Sequence, residues 1–145
     1  PMVRKHIIRE PDYNLAQMKK MLKNVVLADY KNHGTGRLAV INKDDGNFIG
    51  FCGLKFLPDM NEYDLGVRLK SEYWGQGIAY EACCAALEYG FSKMKLKSVI
   101  ALTFPENQRS LALLKRLNFT FDKNLFISDE PHMKFILTKK DWQIK

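Results

Sequence analysis

Cysteine is scarce in this 145-residue chain, and Cys52, Cys83 and Cys84 are its whole supply. The count is odd, and two of them are adjacent in a helix-like stretch, where they project in different directions. They suit neither a disulfide framework nor a zinc site, which needs more ligands at closer spacing. The favoured reading is small core residues in a reducing compartment. Cys52 has no histidine neighbour that would mark it as a nucleophile. Histidine is scarce too: His6, His33 and His132 are spread over the chain and form no metal motif, so no metal is expected. No apolar run approaches the roughly 20 residues of a membrane-spanning helix. The start, Pro1-Met2-Val3-Arg4-Lys5-His6, lacks the apolar core of a secretory signal. The simplest location is the cytoplasm, with no membrane partner. Internal repeats, low-complexity tracts and linkers are absent as well. The length is that of one ordinary domain, so residues 1–145 are read as a single domain.

What is present is globular. The chain is 46% hydrophobic, 12% aromatic and 27% charged, enough to bury a core and unlike a disordered profile. The net charge is +7. A basic balance fits nucleic acid or an acidic small-molecule cofactor. The cations are scattered (Lys19, Lys20, Lys23, then Lys93, Lys95, Lys97, then Lys139, Lys140). They do not interleave with aromatics as on an RNA-binding sheet, so nucleic acid is the lesser reading.

Periodicity gives the element order. Leu15, Met18, Leu22, Val25 and Val26 recur at helical spacing between Asp12 and Tyr30, and a break is expected before Asn32-His33-Gly34. Arg37 to Asn42 reads as a strand, Asp44-Asp45-Gly46-Asn47 as a hairpin turn, and Phe48 to Leu57 as a second strand. Pro58-Asp59-Met60-Asn61 turns the chain into a third strand, Tyr63 to Lys70. Ile78 to about Met94 is helical. Ser98 to Thr103 is a short strand bounded by Pro105, and Glu106 to Leu117 is a helix. Phe119 to Ile127 and His132 to Thr138 close the chain as a strand pair. An antiparallel meander followed by one βαβ crossover predicts a mixed α/β sheet.

The stretch Trp74-Gly75-Gln76-Gly77-Ile78-Ala79 lies between the third strand and the long helix. Glycines there let successive backbone N–H groups converge with no Cβ in the way. The first N–H groups of a helix have no intrahelical partners, and the helix dipole adds partial positive charge. Strand, glycine turn and helix start together make an anion cradle, most often for phosphate. A phosphorylated cofactor is therefore expected. No G-K-[S/T] follows the glycines, so this is not a P-loop. The chain does not open on a βαβ unit with G-x-G-x-x-G, so a dinucleotide-binding site is not expected either.

These residues resemble the GNAT superfamily of acetyl-CoA-dependent N-acetyltransferases, from about Leu38 to Phe121. Val67-Arg68-Leu69 ends the strand before the family's glycine pattern, which Gly75-Gln76-Gly77-Ile78-Ala79 matches. Trp74 stands where many members carry Arg or Gln. Tyr73-Trp74-Gly75 with Glu81-Ala82 looks like the subgroup that includes ribosomal-protein N-terminal acetyltransferases. Asn107, Ser110 and Leu117-Asn118-Phe119 resemble the family's N-x-x-S and Leu-Gly-Phe. Asn118 replaces glycine, and asparagine tolerates the left-handed backbone of a helix end. The resemblance implies a GNAT-like fold with two splayed parallel strands. It also implies an early strand, for which His6-Ile7-Ile8-Arg9 is the available segment.

The implied reaction moves an acetyl group from acetyl-CoA to a primary amine, a protein N-terminus or a small amine, by direct attack in a ternary complex. The amides of Gly75, Gln76, Gly77, Ile78 and Ala79 would hold the pyrophosphate beside Trp74. The pantetheine arm would pair with the backbone of Val67 and Leu69, and Asn107 and Ser110 would contact it. Asn107 is equally a plain helix N-cap by its position after Pro105-Glu106. A protonated amine needs a base. Asp64 is the first choice and Glu62 the second, since their spacing of two puts both on one strand face. A solvated acidic residue is the bland alternative for Asp64. A backbone N–H near Val67 to Leu69 would serve the developing oxyanion. Many members return a proton to the CoA thiolate from a tyrosine at the place of Leu114. Ser110 is the nearest hydroxyl in this chain. A CoA-binding module without catalysis and a basic nucleic-acid binder are the rival readings, and a homodimer is left open.

Overall fold

A computed structural model describes residues 13–143. It opens on a helical run of three parts: α1 (Leu15–Met21), one π-helical stretch (Leu22–Val26) and α2 (Leu27–His33). Asn14 starts it with a reciprocal cap. Its Oδ1 accepts from the Gln17 N–H at 2.9 Å, and Gln17 Oε1 accepts from the Asn14 N–H at 2.8 Å. The run passes Asn32 and stops at Gly34 (φ +68°), the residue free to take the left-handed turn that ends a helix. The expected early strand over residues 6–9 lies outside the described residues.

Among the described residues six strands form one sheet: β1 (Arg37–Ile41), β2 (Phe48–Leu57), β3 (Glu62–Leu69), β4 (Ser98–Thr103), β5 (Thr120–Ile127) and β6 (Glu130–Thr138), in the order β1-β2-β3-β4-β6-β5. The first three make the antiparallel meander. The helix α3 (Ile78–Ser92) crosses over to β4, which lies parallel to β3. After α4 (Gln108–Arg116), the final hairpin places β6 against β4 and β5 on the edge. A last short helix, α5 (Lys139–Gln143), has no counterpart in the periodicity of the sequence.

The core sits on the sheet face that α3 and α4 cover. Cys52, Leu54, Leu65, Val99, Ala101 and Leu137 pack with Cys83, Leu87 and Phe91 of α3 and with Leu114 and Leu117 of α4 and its end. Burying each large apolar side chain contributes roughly 1.5–3 kcal/mol. A Cβ at Gly90 would lie 2.5 Å from Leu54 Cδ1, so the missing side chain sets how closely α3 approaches β2. Cys52 and Cys83 meet in this core with their sulfurs 3.8 Å apart. The hydrogen bond with Cys52, then burial, pushes the Cys83 thiol far up, which makes it a packing group and not a nucleophile.

The opposite sheet face carries charge. Asp29 of α2 pairs with Lys55 of β2 at 2.9 Å, and the Tyr30 hydroxyl donates to the Arg37 carbonyl. Leu15, Met18, Leu22 and Val25 remain exposed despite their helical spacing. Among the described residues, no helix is long and apolar enough to cross a membrane.

Candidate functional site

The glycine turn is built by the end of β3 and the start of α3. After Leu69 the chain makes a single 3₁₀ turn, Ser71–Tyr73. Trp74 then folds back, and its indole N–H donates to the Leu69 carbonyl at 2.9 Å, which ties the turn to the strand. Gly75 (φ +74°) and Gly77 (φ +79°) both adopt left-handed backbone. A Cβ on either would meet nothing within 4 Å, so the space beside each glycine is open. Gly77 is the N-cap of α3 and supplies no side chain to its first N–H groups. The donors of Ile78 and Ala79 are thus left for an external acceptor or solvent. Gln76 sends its amide back to the Glu72 carbonyl at 3.1 Å, away from the backbone cradle. These features fit a pyrophosphate: donors, open space and a helix dipole of the right sign.

Beside this turn the sheet opens. β3 and β4 pair at one register only, Asp64 with Ile100. On its other edge β3 stays paired with β2 throughout, Val67 opposite Cys52 and Leu69 opposite Gly50. The backbone of Val67 and Leu69 therefore faces a gap on the β4 side, wide enough that no further residue pair forms. The N-terminus of α4 borders the same region. Asn107 caps α4, its Oδ1 accepting from the Ser110 N–H at 3.2 Å, and both residues are half-buried. Arg109 lies on the face of Trp74, its guanidinium carbon 4.1 Å from the ring centre, and Arg116 lies at the same distance over Tyr80. These two stacks join α4 to the glycine turn and to α3. Leu114 is a core residue, 6% exposed, and brings no proton donor.

The two acidic candidates do share a face of β3, and neither is a solvated surface group. Asp64 is 8% exposed. Arg37 of β1 reaches across β2 to it, with Nη2 at 2.6 Å from Asp64 Oδ2. The same guanidinium donates through Nη1 to the carbonyls of Gly53 at 2.6 Å and Asp64 at 2.8 Å. Burial pushes the Asp64 carboxyl above the ordinary carboxylate range, with Arg37 and then the Leu102 backbone opposing part of that rise. Glu62 lies 2.7 Å from Lys134 Nζ, which Asp122 also approaches at 3.3 Å. Burial works to lower the Lys134 ammonium, but Glu62 and Asp122 outweigh it and hold the group raised. Among the described residues no cluster of His, Cys, Asp or Glu could hold a metal.

Two cations of this region escape a reading of the sequence alone, Arg37 and Arg109. The only local sign of Arg37 is a lone cation entering an apolar strand. Gly53, whose carbonyl accepts from it, and Gly66, which makes room for it, become its partners only when the strand register is known.

Residues 1–120 match the family model for the acetyltransferase (GNAT) domain. An uncharacterised N-acetyltransferase of Bacillus licheniformis is 31% identical over 121 residues, covering 82% of this chain and 67% of that protein. The alanine N-acetyltransferase of ribosomal protein uS5 from Escherichia coli is 31% identical over 84 residues, 54% of this chain and 43% of that protein. The spermidine N-acetyltransferase of Vibrio cholerae, solved with CoA and spermine, superposes with a TM-score of 0.80 at 16% identity, covering 98% of this chain and 85% of that one. The chain spans about half to two thirds of the length of the first relatives it matches.

Proposed function

The chain belongs to the GNAT acetyltransferase family, and on that premise we propose that it transfers an acetyl group from acetyl-CoA to a primary amine, the two substrates meeting in a ternary complex. The observation that carries this reading is the open glycine turn at Gly75 and Gly77 beside the gap between β3 and β4. Acetyl-CoA supplies an activated acetyl group on a long, polyanionic carrier. The amides of Gly75, Gln76, Gly77, Ile78 and Ala79 hold its pyrophosphate, with Trp74 as the wall of that turn. The backbone of Val67 and Leu69 takes the pantetheine arm as an added strand edge. Asn107 and Ser110 contact the arm from α4. Asp64 takes the proton of the incoming amine and Glu62 is the second choice, because its ion pair with Lys134 lies nearer the start of β3. Ser110 is the hydroxyl assigned to the leaving thiolate. The amine is a protein N-terminus or a small amine; the E. coli relative and the Vibrio neighbour carry names of one kind each.

Thermal unfolding with and without acetyl-CoA tests the pocket. Ligand at about a hundred times its dissociation constant stabilises by roughly 2.7 kcal/mol. For a domain of this size that raises the midpoint by roughly 5–10 °C. The expected result is a shift with acetyl-CoA and with CoA but not with ATP. No shift at saturating acetyl-CoA would overturn the reading. A second reading, a CoA-binding module without catalysis, is favoured by the ion pair that engages Glu62 and by Leu114. Binding without release of free CoA, over an amine panel of spermine and an alanine-initiated peptide, would select it.

A further inference from the structure

Arg37 enters β1, the outermost described strand on that side of the sheet, yet its guanidinium ends two strands away on β3. It crosses over Gly53 of β2, its register partner, and over Gly66, the partner of Gly53 in turn. A Cβ at Gly66 would overlap the Arg37 guanidinium carbon, so glycine at 66 leaves the trough in which the cation lies. Three hydrogen bonds fix it there: two carbonyls, Gly53 and Asp64, and the Asp64 carboxylate. Asp64 sits at the last paired residue before β3 and β4 part.

We propose that Arg37 is a positioning residue for the amine side of the site, holding the Asp64 carboxylate in place where β3 and β4 separate. The physical need is specific. A buried carboxylate with no cation beside it takes up a proton and cannot act as a base. A buried carboxylate free to rotate loses its aim. Arg37 answers both needs, from a strand that lines neither the glycine turn nor the gap. The other charges around Asp64 do not replace it. Lys55, opposite on β2, is engaged by Asp29 of α2. Lys134 on β6 is engaged by Glu62 and Asp122. On its own strand, Arg68 lies four residues further on, over Phe51. Ile100 and Leu102 on β4 carry no charge. This inference rests on the acetyl-transfer reading and names a residue that the reading does not use.

The test is a carboxyl-carbon NMR titration of the full chain with isotopically labelled aspartate, Asp64→Asn assigning the resonance. The variants are Arg37→Met, Arg37→Lys and Gly66→Ala. The last keeps every charge and displaces only the guanidinium. Removing an adjacent cation should move the Asp64 titration up by about one unit or more in Arg37→Met. Gly66→Ala should move it the same way, and Arg37→Lys by less. The acid limb of kcat/KM, measured with acetyl-CoA and spermine, should rise in step. If Arg37→Met does not fold, the lysine and alanine variants decide. Asp64 titrating at its wild-type pH in the displaced variants would overturn the proposal, as would an acid limb that stays put while Asp64 moves. Failure of the wild-type chain to bind acetyl-CoA in calorimetry would instead overturn the acetyl-transfer reading, with the Asp64 titration still readable.

Discussion

A β-branched side chain at position 77 meets two obstacles of different kinds. The backbone there has φ +79°, where an L side chain costs about 1–2 kcal/mol. The Cβ would also enter the open side of the turn, which the proposed pyrophosphate occupies. Gly46, in the β1–β2 turn at φ +72° and equally free of neighbours, carries the first obstacle without the second. Gly77→Val should therefore abolish acetyl-CoA binding in calorimetry, and Gly46→Val should lose similar stability while binding as before. Equal affinity in both variants would remove the glycine turn from the site. Position 77 was legible because its signal is local: two glycines, a strand before and a helix after. The Asn107–Ser110 cap is local in the same way, three residues apart. Arg37 and Asp64 are 27 residues apart, and Arg109 meets Trp74 across one helix and one strand, α3 and β4. No periodicity within one element encodes such contacts, which depend on register and on how α4 lies against α3.

At the scale of elements, punctuation decided what could be read. β2 runs from Phe48 to Leu57 and β4 from Ser98 to Thr103, the same bounds their turn residues and Pro105 imply. The helix α4 begins at Gln108, later than its apolar pattern suggests, because Asn107 serves as the cap. The π-helical stretch at Leu22–Val26 and the five-residue α5 left no sequence signal. So short a helix does not form on its own and is held by tertiary contacts. For α5 those contacts centre on Trp142, which packs near Phe91 with ring centres 6.1 Å apart and donates its indole N–H to Glu88 at 3.1 Å. Glu88 also accepts from the Ser92 hydroxyl. The hydrogen bonds from Ser92, then from Trp142, hold the Glu88 carboxyl below the ordinary carboxylate range. The sign follows: a depressed folded value gives stability that is present above the unfolded value and is lost as pH falls through the folded one. Acidification into that window should loosen α5 before the sheet, seen as a change in Trp142 fluorescence with unchanged strand content. Glu88→Gln should flatten the response, and an unchanged fluorescence transition in that variant would show that Glu88 does not hold the helix.

Taken whole, the molecule carries a net charge of +7 and presents cations at several separate places. The fold class was readable because element order alone separates a meander with one crossover from the alternatives. The charge was ambiguous because net charge speaks of partners and not of fold. Salt separates the two kinds of partner. Binding to a nucleic-acid backbone through many phosphates loses about 10³–10⁵ in affinity between 50 and 200 mM salt, through counterion release. A compact cofactor held by backbone donors in a glycine turn engages few charges and has no condensed ion atmosphere to release. The affinity for acetyl-CoA should thus fall by less than about tenfold over the same range, the remaining loss being ordinary screening at a Debye length of about 8–10 Å. A single-stranded RNA and a duplex DNA of the same length serve as comparison ligands. A shallow acetyl-CoA response with no measurable oligonucleotide binding at physiological salt would assign the positive charge to the cofactor and its approach. Tight, steeply salt-dependent oligonucleotide binding that acetyl-CoA does not compete away would locate a second partner outside the glycine turn, and the charge would then belong to that surface.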